Sequence, residues 1–341
     1  MTMLRFRTRS TLAALLLAAV PAVLGAAPPG VGAQRAAPTE NSQEAALAGL
    51  RAADLRLATI ADRLMIANVA LCDRRVGATG LVLHALAAYD SGIRDTARRV
   101  FGFDAPVAIE AVVAQSPAAR AGVVADESVT AIGATAILGE AALDHARAAL
   151  AAIPPGGTVV LALRDAGRAR TVSVHTEPAC AGRVELRVTA DLNAATDGLV
   201  LQVDSAMLNL IGDDDQLAAL VAHELAHIIL RHPERLTAAR VSRGMLSIFG
   251  RNARLIRTTE AEADRLSVVL LANAGYDPMA AARLWRDHAR ALGDGGLLAG
   301  TTHLGRKDRI ALVERAAEAI APDAARPIVP GWIESRTQPL R

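Results

Sequence analysis

The stretch Val221-Ala222-His223-Glu224-Leu225-Ala226-His227 limits what this chain can be more than any other part of it. Two histidines four residues apart project from one face of a helix. That spacing lets one Zn²⁺ take an imidazole nitrogen from each. Glu224, next to the first histidine, stands where a general base can take a proton from an attacking water. The pattern is H-E-x-x-H, and the chain has only eight histidines in which it could arise by chance. Its surroundings favour a buried helix. Asp213, Asp214 and Asp215 offer an acidic N-terminus that complements the helix dipole. Leu217, Leu220, Val221, Leu225, Ile228 and Ile229 make a wide apolar surface, and Pro233 ends the run. Polar side chains on such a helix are costly unless something pairs with them, as a metal does.

At 341 residues the chain has room for two domains. Hydrophobic residues make up 52%, many of them alanine, which predicts helix-rich cores. Aromatics are 2%, too few for base-stacking platforms, and the net charge of +2 is scattered, so nucleic acid is not an expected partner. Arg5, Arg7 and Arg9 precede an apolar run from Leu12 to Leu24, too short and Pro-interrupted for a good membrane span. Residues 1–33 are expected to be a secretory signal peptide, cut after Gly25 or Ala33. Export, and a periplasmic location in a Gram-negative cell, follow from that reading. The alternative is an uncleaved anchor, which would be the chain's one membrane contact.

Residues 34–98 form a linker and helical segment. Leu47, Leu50, Leu55, Leu57, Ile60, Leu64 and Ile66 predict a helix from Glu44 to about Val69. Residues 73–98 show little pattern beyond a short helix near Tyr89 to Arg99. From Val100 the texture becomes short strands. These are Val107 to Val113, Val129 to Ile132, and a hairpin of Val159, Leu161 and Leu163 with Val172 and Val174. A helix over Ala141–Ala152 precedes the Pro154-Pro155-Gly156-Gly157 turn. With Val100-Phe101-Gly102-Phe103 and Ser116-Pro117-Ala118-Ala119-Arg120-Ala121-Gly122, this order resembles a PDZ domain of the bacterial protease type, over residues 99–179. Asp126-Glu127 departs from the usual Gly-Asp. The resemblance implies that a peptide C-terminus adds as a strand beside Val107–Val113. Backbone N–H groups around Phe101, Gly102 and Phe103 would then hold its carboxylate. The alternative is a groove covered by the neighbouring domain.

Val184, Leu186 and Val188 predict a strand. A turn-rich loop over Asp191–Gly198 follows, then a second strand, Leu199–Val203, the candidate for holding an extended substrate. A catalytic zinc needs a third protein ligand. The metzincin register fails, because residues 230 and 233 are Leu230 and Pro233. His232 lies off the zinc face and is expected to be a helix-end histidine. Downstream, Thr258 or Thr259 can cap a helix on which Glu260 and Asp264 share one face. Glu260 is therefore the expected third ligand, and Asp264 the acceptor for a ligand histidine's outer nitrogen. Glu262, on the opposite side, is expected in solvent.

H-E-L-A-H, then E-A-E-A-D, then Gly275-Tyr276-Asp277-Pro278, resemble the zinc endopeptidase family of the CAAX prenyl protease, in its soluble, exported bacterial branch. The similarity covers about residues 181–320, within a domain at 180–341. It implies an α+β chain: a mainly helical gluzincin-type zinc protease domain plus the small PDZ-like α+β module. It also implies one zinc per chain, with His223, His227 and Glu260 as ligands, Glu224 as base and Asp264 behind them. Relatives carry Thr-His-Pro followed by Arg, where this chain has Thr302-His303-Leu304 and Arg309. His303 and Arg309 are accordingly expected among the catalytic residues. His303, after the glycines at 293, 295, 296 and 300, would either donate to the oxyanion or latch the metal. The expected function is an exported zinc metalloendopeptidase acting on polypeptides, in cell-envelope protein quality control. The alternatives are a PDZ-type binding or chaperone protein with latent proteolysis, and a hydrolase of non-peptide amides.

The two cysteines, Cys72 and Cys180, bracket the PDZ-like module. An oxidising compartment and a module whose ends meet predict a disulfide between them. The alternative is two buried thiols.

Overall fold

Apolar residues at helical spacing build α1 (Glu40–Ala67), which runs 28 residues, or about 42 Å. The computed structural model describes residues 39–241, 250–288, 291–292 and 305–340. The expected signal segment lies outside them. Among the described residues no helix is long and apolar enough to cross a membrane.

After α1 come β1 (Arg75–Ala78), β2 (Leu81–Ala85), α2 (Arg94–Val100), β3 (Val107–Val112), α3 (Pro117–Arg120), β4 (Ser128–Ile132) and β5 (Thr135–Ala136). Next are α4 (Ala142–Ala151), β6 (Thr158–Asp165), β7 (Arg168–His175) and β8 (Glu177–Cys180). Strands β2-β3-β4-β6-β7 form one antiparallel sheet in that order, with β5 paired to β4. Their inward residues, Ile109, Val129, Leu161, Leu163 and Val174 among them, pack with Ala142 and Ala146 of α4 into a core of their own. β1 and β8 pair antiparallel, Arg75 opposite Cys180 and Ala78 opposite Glu177. The chain thus enters and leaves this module side by side. The Cys72–Cys180 disulfide closes its base, with Cα atoms 5.4 Å apart. The module therefore begins near residue 75, earlier than residue 99. β1 and β2 are too short, and their apolar residues too poorly alternated, to announce themselves in sequence.

The remainder is β9 (Arg183–Arg187), β10 (Ala194–Thr196), β11 (Val200–Asp204), α5 (Ser205–Leu210), α6 (Asp214–Ile229), α7 (His232–Ala238), α8 (Gly250–Asn273), α9 (Ala280–His288) and α10 (Arg306–Glu318). α6 lies at the centre of the largest core, against α1, α8 and α9. Leu57, Ile60 and Leu64 of α1 meet Leu217, Val221 and Leu225 of α6 there. Truncating one such leucine to alanine costs about 2–5 kcal/mol. Buried Asn68 ties α1 to α8: its amide donates to the carbonyls of Leu64 and Leu270, and its oxygen accepts from Asn273.

A third cluster lies at the seam, where Leu47 of α1 packs on Tyr89, Phe101, Phe103 and Ala108. Phe101 and Phe103, expected at a carboxylate-binding loop, thus have their side chains in this seam with α1. Both rings are buried. The amides of Phe101, Phe103, Asp104 and Ala105 already donate to the Ala97 and Arg98 carbonyls and to Ser128 Oγ. β3 is also paired with β2 over Val107–Val112 and with β4 at Ala108. Among the described residues, the module's open sheet edge on that side belongs to β2.

Candidate active site

Asp213 caps α6, its carboxylate accepting from the Gln216 amide at 3.0 Å. Asp214 and Asp215 add negative charge to the first turn, where the dipole favours it. The helix is buried around nearly its whole circumference, so its histidines are polar groups in an apolar wall. His223 and His227 sit one turn apart with their Nε2 atoms 3.2 Å from each other. α8 brings Glu260 against both: one carboxylate oxygen is 3.5 Å from His223 Nε2 and the other 3.6 Å from His227 Nε2. A tetrahedral zinc with bonds of about 2.0–2.2 Å spaces neighbouring donors by about 3.3–3.6 Å. The three donors fit that edge length.

The electrostatics point the same way. Burial opposes a charge on His223, but Asp264 and Glu260 outweigh it and hold its pKa up at about 10. Burial pushes His227 well below its ordinary value, with Glu260 opposing. The pair is a place where buried carboxylates favour a positive charge.

Asp264 lies 3.0 Å from His223 Nδ1, off the straight line that a strong hydrogen bond prefers. Arg309 of α10 donates to both oxygens of Asp264, at 2.7 and 2.6 Å. Burial would raise the Asp264 pKa, but Arg309 and His223 hold it below the usual range. The guanidinium stacks 3.5 Å over the Trp285 ring, which meets His223 edge-on at 6.3 Å. Arg309 was expected among the catalytic residues. It is 3% exposed and bound to Asp264, so it positions a carboxylate from behind the site. Trp285 was not foreseen; a lone tryptophan on an amphipathic helix carries no signal of its partners. Glu224 is buried on the same turn as His223; against the burial that opposes its charge, the Arg309 pKa is raised by Asp264, then Glu260, then Glu224. His303 lies outside the described residues.

Two expectations at the ends of the helices are corrected. α6 stops at Ile229, and Arg231 takes a left-handed φ of +54°. α7 therefore starts in a new direction, and helical register no longer describes His232. Its Nδ1 is 2.8 Å from His227 Nδ1, and its Nε2 is 3.0 Å from Glu262. Glu262 does point away from Glu260 and Asp264, but toward His232 and Arg235. The second strand before α6 is also reassigned. β11 lies between β10 and β9, so its edges are filled. The strand beside α6 with a free outer edge among the described residues is β10, from the stretch expected to be a loop.

Residues 183–255 match peptidase family M48. The matched segment includes His223, Glu224 and His227 and ends before Glu260, so the third donor rests on the geometry above. Zinc is the metal that family M48 uses, and the His-His-Glu set fits it. Over 132 residues the chain is 34% identical to the mitochondrial metalloendopeptidase OMA1 of Schizosaccharomyces pombe, covering 33% of this chain and 39% of that protein. The chain thus matches about two fifths of the length of that relative. Both similarities support metallopeptidase chemistry for the M48 segment.

Proposed function

We propose that this protein is a zinc metalloendopeptidase that cleaves polypeptides. The observation that carries the proposal is the Nε2–Nε2–carboxylate triangle of His223, His227 and Glu260, with Glu224 on the same helical turn. Zinc held by those three residues supplies Lewis-acid chemistry to a scissile carbonyl and to water. Glu224 takes the water's proton and returns it to the leaving amine. The outer edge of β10 pairs with the substrate backbone and lays it along the site. Asp264, locked by Arg309, keeps the His223 ring from turning.

Export and work on cell-envelope proteins are part of the same proposal. The Cys72–Cys180 disulfide supports an oxidising compartment, and the N-terminal sequence supports secretion. The module between the cysteines is proposed as PDZ-like. Its peptide-binding edge would be β2, flanked by α4, in place of β3. Purified protein incubated with an unfolded polypeptide, with and without chelator, tests the reading: chelator-sensitive cleavage supports it. Retention of the polypeptide without cleavage would favour the binding-protein alternative.

A further inference from the structure

We infer that His232, Glu262 and Arg235 form a second positioning arm that fixes the tautomer and ring plane of His227. The inference rests on the reading of His227 as a metal ligand. It starts from a contact between two ring nitrogens, His232 Nδ1 and His227 Nδ1, at 2.8 Å. One of them must carry a proton and the other must not. The far side of His232 and the metal side of His227 decide which. Its Nε2 faces a carboxylate oxygen of Glu262 at 3.0 Å, and an ionised carboxylate only accepts. Arg235 Nη1 donates to that same oxygen at 2.7 Å, which marks it as an acceptor and holds it in place. His232 therefore carries a proton on Nε2, and because His227 must keep its Nε2 lone pair to bind a metal, the proton of the Nδ1–Nδ1 contact belongs to His227 and His232 offers a bare Nδ1. His227 then carries its proton on Nδ1, and its Nε2 lone pair faces His223 and Glu260.

The arrangement parallels the other ligand. His223 leans on Asp264, which Arg309 clamps. His227 leans on His232, which Glu262 orients and Arg235 clamps. Glu260, Glu262 and Asp264 of one helix thus serve the metal position and both arms. An imidazole is inserted in the second arm because Glu262 faces away from the metal side, and the turn at Arg231 delivers His232 into the gap. His232 is fully buried and Arg235 nearly so, so the arm is sheltered from competing water. Arg235 Nε also donates to the Gln338 carbonyl, which anchors the arm to the C-terminal segment.

Outer partners of metal-bound histidines are worth about 10–100-fold in metal affinity. The test measures zinc affinity of the full-length protein by competition with a chromophoric chelator, alongside thermal unfolding of the metal-free form. His232→Leu fills the space without an acceptor and is expected to weaken zinc binding by about 10–100-fold. His232→Asn places an amide oxygen where Nδ1 was and is expected to restore affinity to near wild type. Leucine binding zinc as wild type does, or asparagine binding as weakly as leucine, would overturn the inference. Histidine-selective ¹⁵N spectra of the zinc-loaded wild type need no variant. They should show His232 protonated on Nε2 and His227 on Nδ1; the opposite tautomers would overturn it even if the leucine variant fails to fold. Wild type that takes up no zinc would instead defeat the metal reading, and this inference with it.

Discussion

Arg309 grips both carboxylate oxygens of Asp264, at 2.6 and 2.7 Å, and each residue is at most 3% exposed. Removing one partner of such a pair leaves a buried charge without compensation, at a cost of about 3–5 kcal/mol. Arg309→Met should therefore lower the unfolding free energy of the metal-free protein by roughly that amount. Urea unfolding measures it. A loss under about 1 kcal/mol would mean that water reaches Asp264 and the clamp is dispensable.

The Cys72–Cys180 bridge closes a span of 108 residues at the base of the module. A cross-link of that reach stabilises by about 2–5 kcal/mol, chiefly by restricting the unfolded chain. The double serine variant should unfold at lower denaturant by that margin. Reductant should lower the wild-type midpoint and leave the variant's unchanged. A wild type indifferent to reductant would contradict the bridge's stabilising role.

Glu110 lies buried between α1 and the module, beside Asp54, Tyr89 and His84, with Arg51 opposing. Burial, then the neighbouring Asp54, push its pKa up to about 8. Burial and then Glu185 raise Asp54. The folded chain therefore keeps protons here that the unfolded chain releases in the ordinary carboxylate range. The resulting stability is full at low pH and is lost as pH rises through about 8. Glu110→Gln should flatten that slope and raise the denaturation midpoint at alkaline pH. An unchanged slope would show that the carboxyl is ionised in the fold.

What the sequence could disclose followed from unbroken helices. Within α6 and within α8, spacing alone places His223 with His227 and Glu260 with Asp264, because 3.6 residues per turn leaves little freedom. The same arithmetic failed at His232. One residue, Arg231, leaves the helical region, and everything after it is re-aimed. Glu262 differs from its expected place for a related reason: a helix face turned from Glu260 is not a face turned to water when α7 packs there. β10 is only Ala-Ala-Thr and has no alternation to detect; its strand exists because β11 pairs with it. Phe101 and Phe103 follow a familiar loop pattern, yet α1 covers them, and no local signal in residues 100–103 specifies a helix more than thirty residues upstream.

The most direct test of the central claim is zinc content and peptide hydrolysis measured together on wild type and Glu224→Gln. The substitution leaves His223, His227 and Glu260 untouched and removes the proton acceptor. The account predicts one zinc per chain in both proteins and a fall in hydrolysis of about 10²–10⁴-fold or more in the variant. Hydrolysis that survives in Glu224→Gln, or that persists in wild type stripped of zinc, would contradict it.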